Sequence, residues 1–301
     1  MTNNPQHYLF TEKYRPTTLE GYIGNENYKK DLAKWIEEGN IPNIILSGKA
    51  GTGKTTSAKL IVQNIDCDSL YINASDENGI DTIREKVKTF ASSASFKPLK
   101  IVILDESDYL TASAQSALRN IIETFSLTTR FIFTCNYFER ILEPIQSRLE
   151  RYELHPPTKQ ELAKKCKDIL EQENIKFEIK DIANVVNLTF PDNRQTLIKL
   201  QSFSKTGTLV VTDSTSDIGK VSDELIGFLK SKNLNKIRKI VIDLQLRDYT
   251  ELYVLLSDRL DDWSNNSIDP WYIAESAFQS TTSPDKQITF LGLISRIINN
   301  K

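Results

Sequence analysis

Apolar residues in the first half of the chain recur in two alternating patterns. Five short runs are rich in Ile, Val, Phe and Tyr and are almost continuously apolar where they are most central. These predicted strands are Ile44–Leu46, Leu70–Ile72, Ile101–Leu104, Phe131–Thr134 and Arg151–Leu154. Between them, segments such as Asp81–Phe90 and Ala114–Thr124 place apolar residues three or four positions apart, with charges opposite. Strands that alternate with helices predict an α/β fold with a five-stranded parallel sheet.

The second half of the chain carries helical patterns. Thr158 and Glu161 have the spacing of a capping box, and apolar residues follow at helical intervals as far as Gln172. The polar stretch Ser204–Gly219 has few packing residues, whereas helical spacing returns from Asp223 onward. Further helices are predicted at Ile179–Leu188 and Gln195–Phe203. The predicted domains are an α/β domain at 1–155, a small helical domain at 156–205, a linker at 206–220 and an all-α domain at 221–301.

Composition excludes several classes of protein. The chain has 301 residues, of which 39% are hydrophobic and 26% charged, so it is long enough to bury more than one core. Lys and Arg number 38 against 40 Asp and Glu, so contact with nucleic acid requires a local basic surface. Three separated cysteines without metal-ligand spacing argue against structural zinc and against a disulfide framework. Because there is no signal-like N-terminus and no apolar run near 18 residues, we expect a cytoplasmic protein without a membrane span.

The segment GKAGTGKTT, at residues 48–56, connects the first predicted strand to a segment with helical spacing. Its spacing fits GxxxxGK[ST], a loop whose backbone N–H groups converge and hold phosphate oxygens. In such a loop Lys54 reaches the β and γ phosphates, and Thr55 ligates Mg²⁺. The predicted nucleotide-binding residues of the loop are Gly48, Gly51, Thr52, Gly53, Lys54, Thr55 and Thr56.

A second constellation lies in KIVILDESD, which ends at Asp108. It places Asp105 and Glu106 at the C-terminal end of a buried strand, where ligands bind in open parallel sheets. A carboxylate suits Mg²⁺, a hard cation, so Asp105 is predicted to hold the metal. The adjacent Glu106 is predicted to orient and deprotonate the attacking water. Together the two motifs predict a P-loop enzyme that binds nucleotide phosphates and hydrolyses them.

Four longer segments carry a family resemblance: EKYRPTTLEGYIGNE, NASDENGIDTIREKVKTFA, DESDYLTASAQSALRNIIE and FIFTCNYFERILEPIQSRLERY. Together they resemble the small subunits of replication factor C. The chain length and the missing metal motif are more similar still to the ATPase subunit of T-even-type phage clamp loaders. The resemblance covers about residues 11 to 203. It implies an AAA+ ATPase, with a helical lid at 156–205 and a helical collar at 221–301, that opens a ring-shaped sliding clamp and places it on primer–template DNA.

The resemblance also implies roles for residues outside the two motifs. Asn136 matches the sensor between the phosphate loop and the acidic strand, and Arg194 matches a second sensor in the lid. Arg148 matches the arginine finger, which acts on the nucleotide of the neighbouring subunit. The residues that match the family's purine pocket are Tyr14, Arg15, Pro16 and Ile23.

Contacts with DNA and with the clamp are implied by the same resemblance. The family's helix after the second strand tracks one DNA strand, which makes Asn78, Ile80, Arg84 and Lys88 candidate DNA-binding residues. Between Ile80 and Lys100 five cations, Arg84, Lys86, Lys88, Lys97 and Lys100, outnumber two carboxylates, although a solvated face is the alternative. The segment from Phe90 to Phe96 matches the clamp-facing edge, with burial in the core as the alternative.

Assembly follows from the arginine finger, because a residue that acts in trans requires a neighbouring subunit. The resemblance therefore implies a ring-like, pentameric assembly with other clamp-loader subunits, a sliding clamp and DNA as partners, and ATP and Mg²⁺ as cofactors. One alternative is an AAA+ remodelling enzyme that threads polypeptide, but ASDENGIDTIREK lacks the aromatic residue of a threading loop. The other is a scaffold that binds ATP without hydrolysis, which the presence of Glu106, Asn136 and Arg148 disfavours.

Overall fold

The computed structural model describes residues 8–211, 215–244, 246, 249–264 and 266–299. The chain divides into two compact units, residues 1–211 and 212–301. No helix in the described ranges is long and apolar enough to cross a membrane. The two units are described separately below.

The first unit is built on a five-stranded sheet whose strands all pair in parallel. The strands are β1 (Ile44–Ser47), β2 (Cys67–Asn73), β3 (Leu99–Asp105), β4 (Thr129–Cys135) and β5 (Glu150–Glu153). Their order across the sheet is β2-β3-β4-β1-β5. The predicted α/β fold with a five-stranded parallel sheet is therefore confirmed.

Helices cover both faces of this sheet, and a hydrophobic core lies on each side. Side chains alternate along the strands, so Ile45 and Val102 enter one core while Ile44 and Ile101 enter the other. All seven residues of β3 are buried, as expected of a central parallel strand. The helices are α1 (Phe10–Lys13), α2 (Glu26–Glu38), α3 (Lys54–Asn64), α4 (Ile80–Thr82), α5 (Lys88–Ser92), α6 (Ala112–Thr124) and α7 (Glu143–Gln146).

Strand register decides which residues meet at the C-terminal edge of the sheet. Ser47 at the end of β1 is level with Cys135 at the end of β4. Asn73 at the end of β2 is level with Asp105 at the end of β3. The loops that follow β1, β3 and β4 therefore emerge side by side at one edge.

A small helical group completes the first unit. It consists of α8 (Lys159–Gln172), α9 (Ile179–Thr189) and α10 (Asn193–Phe203). The capping box predicted at Thr158 and Glu161 is formed at the start of α8. Phe10 and Tyr14 of the N-terminal segment pack into the core of this group, together with Leu162 and Leu200.

The stretch predicted as a linker, 206–220, differs in the structure. Leu209 is buried in the core of the small helical group. Lys176 and Thr208 form a parallel β-bridge that fixes the chain there. A helix begins again at Thr215. Within the predicted linker, residues 206–211 are therefore attached to the small helical group through Leu209, and residues 215–220 are helical.

Every element described in the second unit is a helix. They are α11 (Thr215–Lys230), α12 (Leu234–Asp243), α13 (Thr250–Asp258), α14 (Leu260–Trp263), α15 (Asp269–Thr282) and α16 (Lys286–Asn299). The centre of its core is aromatic, with the ring of Phe290 5.5 Å from that of Tyr249 and 5.3 Å from that of Tyr253. These helices therefore enclose a core of their own.

Lys100 fixes the helix that follows β2. A π-helical turn, Ile83–Val87, joins α4 to α5, so that the chain is helical from Ile80 to Ser92. Lys100 lies on β3 and is 4% exposed. Its Nζ donates to the carbonyl oxygens of Phe90 and Ala91, each at 3.0 Å, and to that of Ser93. The ammonium group thus caps the carbonyls at the C-terminal end of α5.

We expect Lys100→Met to lower the free energy of unfolding by about 1–3 kcal/mol, because three carbonyls, of which that of Ala91 is buried, lose their donor. Calorimetric melting of the full chain measures the change. Lys88→Met, on the exposed face of the same helical segment, is the matched control and should stay within about 0.5 kcal/mol of wild type. Equal losses in both variants would show that the cap does not stabilise the fold.

Candidate nucleotide-binding site

A cavity of about 160 Å³ lies at the C-terminal edge of the sheet. Its walls come from the loop after β1, the ends of β3 and β4, the N-terminal segment and α10. The sequence-predicted residues that line it are Tyr14, Arg15, Pro16, Ile23, Gly51, Thr52, Gly53, Lys54, Thr55, Thr56, Glu106, Asn136 and Arg194. The residues that line it without having been predicted are Thr11, Tyr22, Ala50, Thr134, Cys135, Lys165, Asn193 and Leu197.

The loop after β1 has a conformation that requires glycine at two positions. Gly48 and Gly51 have φ values of 146° and 77°. A Cβ on Gly48 would collide with the carbonyl oxygen of Leu154, and one on Gly51 with the carboxylate of Asp192. The glycines thus let the loop turn tightly while other segments pack against it. Gly53 then leads into α3, so the N-terminus of that helix faces the cavity.

Lys54 is held beneath the loop by three oxygen acceptors. Its Nζ donates to the carbonyl oxygens of Gly48 at 2.9 Å and Lys49 at 2.8 Å, and to Asn136 Oδ1 at 2.8 Å. Burial lowers the pKa of Lys54, although the nearby carboxylates oppose this. The structure therefore brings the loop lysine and the predicted sensor Asn136 into direct contact.

Asp105 lies just behind the cavity wall and accepts hydrogen bonds from three hydroxyl groups. Thr55 Oγ1 donates to its two carboxylate oxygens, at 2.8 and 3.0 Å. Thr134 Oγ1 donates at 2.5 Å and the hydroxyl of Tyr71 at 2.6 Å. Burial, followed by the bond to Asp105, raises the pKa of Tyr71. Thr55 and Asp105, the two predicted metal ligands, are thus adjacent, and both offer the oxygen donors that Mg²⁺ prefers.

Tyr71 and Thr134 were missed in the sequence because both are partners across strands. Tyr71 lies on β2, two residues before its end, and Thr134 is the last residue but one of β4. Strands β2 and β4 flank β3 in the sheet, but the order of the strands cannot be read from the sequence. A hydroxyl near the end of each flanking strand is the signal that could have identified them.

Glu106 has a left-handed backbone, with φ 53° and ψ 40°. This conformation is uncommon for a residue with a side chain and occurs where surrounding contacts impose it. Here the backbone N–H of Glu106 donates to Thr134 Oγ1 at 3.0 Å. The carboxylate of Asp108 accepts from the N–H groups of Asn136 and Tyr137, both at 3.3 Å. These bonds tie the loop after β3 to the loop after β4.

The N-terminal segment and the small helical group form the opposite wall. Tyr14 is 6% exposed, and its hydroxyl donates to Glu173 Oε1 at 2.5 Å, so burial and this bond raise its pKa. Arg15 donates to Thr56 Oγ1 at 3.2 Å, which links the segment to α3. From α8, Lys165 reaches the cavity, and burial lowers its pKa to about 8. Tyr14, Pro16 and Ile23 thus supply apolar surface suited to a flat ring.

Arg194 and Arg148 occupy different environments. Arg194 is exposed and lines the cavity at the start of α10, where Asp192 Oδ1 accepts from the N–H groups of Arg194 and Gln195. Arg148 does not line the cavity. It follows α7, and its guanidinium pairs with Glu123 on α6, with Nε 2.8 Å from Glu123 Oε1. This bond lowers the pKa of Glu123.

The predicted DNA-binding residues lie within the helical segment after β2 or just before it. Asn78, Arg84 and Lys88 are exposed, and Ile80 is half-buried. Among the five cations of this region, Lys100 is buried, Lys86 pairs with Glu77 and Lys97 pairs with Asp66. Arg84 and Lys88 have no carboxylate partner among the described residues. The basic surface is therefore narrower than the sequence count indicated.

Phe90 and Phe96 have different exposures in the structure, although the sequence suggested the same two interpretations for both. Phe90 is half-buried against the sheet core, as the core interpretation predicts. Phe96 is fully exposed, so the core interpretation is wrong for it. Its loop is anchored on both sides, since Ser95 Oγ donates to Asp68 at 2.7 Å and Lys97 Nζ lies 3.2 Å from Asp66. These contacts hold the ring of Phe96 outward.

Two family models match this chain in succession. The model described as "ATPase family associated with various cellular activities (AAA)" matches residues 44–156. The model described as "Sliding-clamp-loader large subunit, AAA+ ATPase lid domain" matches residues 157–213. Together they cover the sheet, the small helical group and the walls of the cavity other than the N-terminal segment.

The chain is also similar to proteins of known families. RuvB, the Holliday junction branch migration motor of Thermotoga maritima, shares the fold with a TM-score of 0.53 at 18% identity, over 81% of this chain and 85% of its own. The replication factor C small subunit of Sulfolobus acidocaldarius is 34% identical, over 80% of this chain and 74% of its own. That of Archaeoglobus fulgidus is 37% identical, over 70% and 68%. "Probable replication factor C subunit 5" of Dictyostelium discoideum is 35% identical, over 83% and 72%.

These matches confirm the family and the ATPase activity predicted from the motifs. The chain belongs to the replication factor C small-subunit family of AAA+ ATPases, as an ATPase subunit of a sliding-clamp loader.

Proposed function

We propose that the cavity binds ATP together with Mg²⁺, and that this chain hydrolyses the nucleotide to drive loading of a sliding clamp onto primer–template DNA. The observation that carries the proposal is the pair of contacts that joins the phosphate loop to the strand ends. Lys54 meets Asn136 at 2.8 Å, and Thr55 meets Asp105 at 2.8 Å. The phosphate loop thus stands within one hydrogen bond of the sensor residue Asn136 and of the predicted metal ligand Asp105.

The phosphates of ATP would lie along the loop, with its N–H groups and the N-terminus of α3 as donors. Lys54 would exchange its carbonyl partners for phosphate oxygens, a charge-assisted bond that is stronger than a bond to a neutral carbonyl. Arg194 would add a second cation from the lid. The purine would lie against Tyr14, Pro16 and Ile23, which line the other end.

The oxygen atoms of Thr55 and Asp105 would hold Mg²⁺. When bound, the metal neutralises charge on the β and γ phosphates. Thr134 and Tyr71 keep the carboxylate of Asp105 oriented through the hydrogen bonds already described. Glu106 would accept the proton of the attacking water, since its half-buried side chain lines the cavity beside Asn136.

Arg148 would complete the site of a neighbouring subunit. It lies outside its own cavity, and its pair with Glu123 keeps the guanidinium folded against α6. An arginine finger stabilises charge that develops in the transition state and contributes on the order of 10³-fold or more in rate. A finger supplied in trans makes hydrolysis depend on assembly with other subunits, which we propose form a pentameric ring through the collar at 221–301.

DNA and the clamp would bind at two different places on the first unit. Asn78, Ile80, Arg84 and Lys88 would track a phosphate backbone without reading its sequence. The exposed ring of Phe96 would enter an apolar site on the clamp. ATP binding would favour the subunit arrangement that grips an open clamp, and hydrolysis after DNA contact would release it.

The phage origin and the cytoplasmic location remain predictions. The relatives named above are archaeal and eukaryotic.

Glu106→Gln should lower the rate of ATP hydrolysis, measured with clamp and primed DNA, by at least about a hundredfold, because the water loses its base. Affinity for ATP should stay within about threefold of wild type, since glutamine has almost the same shape. Glu139→Gln, an exposed residue in the next loop, serves as the control. Hydrolysis by Glu106→Gln at the wild-type rate would remove Glu106 from the mechanism.

Arg84→Ala should reduce DNA-stimulated hydrolysis several-fold and leave basal hydrolysis unchanged, because one phosphate contact is lost. The slope of log affinity for DNA against log salt concentration should become shallower by about one. Lys30→Ala, on the exposed face of α2, is the matched charge-removing control. Parallel losses in basal and stimulated rates would count against a DNA contact at Arg84.

Phe96→Ala should weaken clamp binding by about ten- to a hundredfold, which corresponds to the burial of one large apolar side chain. The variant should fold normally, because the wild-type ring touches solvent on all sides. Ile179 is another highly exposed apolar residue, and Ile179→Ala controls for non-specific hydrophobic binding. A binding assay that finds the same clamp affinity for wild type and Phe96→Ala would show that Phe96 does not contact the clamp.

A further inference from the structure

Exposed cations gather in the second unit, where α11 passes into α12. Residues 225–242 carry five cations and no carboxylate, whereas the chain as a whole has a formal net charge of −2. All five residues are exposed. We call them the α12 basic surface, and they are Lys230, Lys232, Lys236, Arg238 and Lys239. Because the chain has no positive overall charge, contact with nucleic acid requires a local cluster of this kind.

The α12 basic surface keeps its charge in the part of the chain that the structure describes. No Asp or Glu described there forms an ion pair with any of the five cations. Elsewhere in the same unit, Arg259 pairs with Asp223 and Asp262, and Arg296 pairs with Glu275. Ordinary protein surfaces intersperse charges of both signs. The five cations therefore leave a local positive potential that a polyanion would neutralise.

The backbone beneath this surface is fixed by hydrogen bonds. Three of them, 2.9–3.1 Å long, close the turn between α11 and α12. Their donors are the N–H groups of Ser231, Lys232 and Asn233, and their acceptors are carbonyls in the last turn of α11. The side chain of Asn233 then accepts from the N–H of Lys236 at 3.2 Å and caps α12. The turn thus presents its cations next to the positive end of the α12 dipole.

The composition of the surface favours a phosphate backbone over a protein partner. Four of the five cations are lysines, a residue that is depleted in protein–protein interfaces, in which aromatic residues are enriched. Within residues 225–242, all of which the structure describes, Ile242 is the only large apolar residue that is exposed. A protein partner would therefore meet charge without the apolar core that a stable interface contains.

A membrane surface is disfavoured by the burial of the apolar face of α12. A helix binds at a membrane surface by placing its apolar face among the lipids. Ile237 and Val241 lie on that face, are 0% exposed and pack in the core of the second unit. The apolar face is therefore already occupied, which leaves the cations as the groups that face outward.

We propose that the α12 basic surface binds the phosphate backbone of DNA, as a contact separate from Arg84 and Lys88 in the first unit. Phe228 is the only aromatic residue within 225–242, and it is half-buried with Lys236 Nζ 5.0 Å from its ring centre. Because bases find no exposed ring on which to stack there, the contact reads no sequence. The inference rests on DNA as a partner in the proposed function, adds a second place of contact and is independent of the nucleotide site.

The test is equilibrium binding of a fluorescent single-stranded oligonucleotide and of a duplex to the full chain, at about 50 to 200 mM salt. The variant K236Q/R238Q/K239Q should bind at least one of them about tenfold or more weakly than wild type, because lost phosphate contacts release fewer counterions. The slope of log affinity against log salt concentration should become shallower by about two to three.

A matched control removes the same charge from three exposed lysines of the first unit. This variant, K30Q/K164Q/K205Q, should bind both oligonucleotides within about threefold of wild type, because salt screens charges that lie away from the contact. Both triple variants should melt within about 2 °C of wild type, since all the replaced side chains are exposed.

Several results would overturn the inference while leaving the proposed function intact. One is wild-type affinity of K236Q/R238Q/K239Q for both oligonucleotides, and another is an equal loss in the control, which would assign the effect to overall charge. A third is tighter binding of polyglutamate or of anionic vesicles than of either oligonucleotide, lost in K236Q/R238Q/K239Q, which would assign the surface to a protein or a membrane. Failure of wild type to bind either oligonucleotide would defeat DNA binding in the proposed function as well.

Discussion

The hydrogen bonds that converge on Asp105 are the interaction on which the rest of the site depends. One carboxylate at the end of β3 accepts from Thr55 of α3, Thr134 of β4 and Tyr71 of β2. Four separate elements are thereby fixed at one point, and Asp105 is only 5% exposed. A buried carboxylate requires such donors, because without them its burial would cost several kcal/mol. The phosphate loop and the acidic strand therefore keep a defined spacing.

Most of this arrangement could be predicted from the sequence, and the reason is physical. The loop after β1 needs glycines, a lysine and a threonine at fixed spacing, since few other residues can turn the chain and hold phosphate. Buried parallel strands need near-continuous apolar runs, so β1, β3 and β4 could be recognised as strands from the sequence. Asp105, Glu106 and Asn136 follow such strands, and parallel strands end at one edge. The spatial meeting of these residues was therefore implicit in their positions.

The features that could not be predicted from the sequence depend on the register of the strands, on tertiary packing or on the edge of the sheet. Strand β2 was predicted only at Leu70–Ile72, because it is an edge strand of which only Cys67 and Ile72 are buried. Tyr71 could be recognised only once β2 was placed beside β3. Lys100 looked like one more surface cation, yet it lies in the core as a helix cap. Helical spacing reveals which face of a helix is apolar, but it does not reveal which neighbour that face meets.

The packing of the N-terminal segment also determines that it would move together with the small helical group. Phe10 and Tyr14 belong to the core of the small helical group, and Lys13 and Tyr14 both bond Glu173 in that group. The same segment also lines the cavity, from Thr11 to Pro16. If the helical group rotates against the sheet, residues 10–14 must travel with it and bend the chain near Arg15. Residues 10–14 would therefore move as part of the lid, and a probe attached to this segment would report lid rotation.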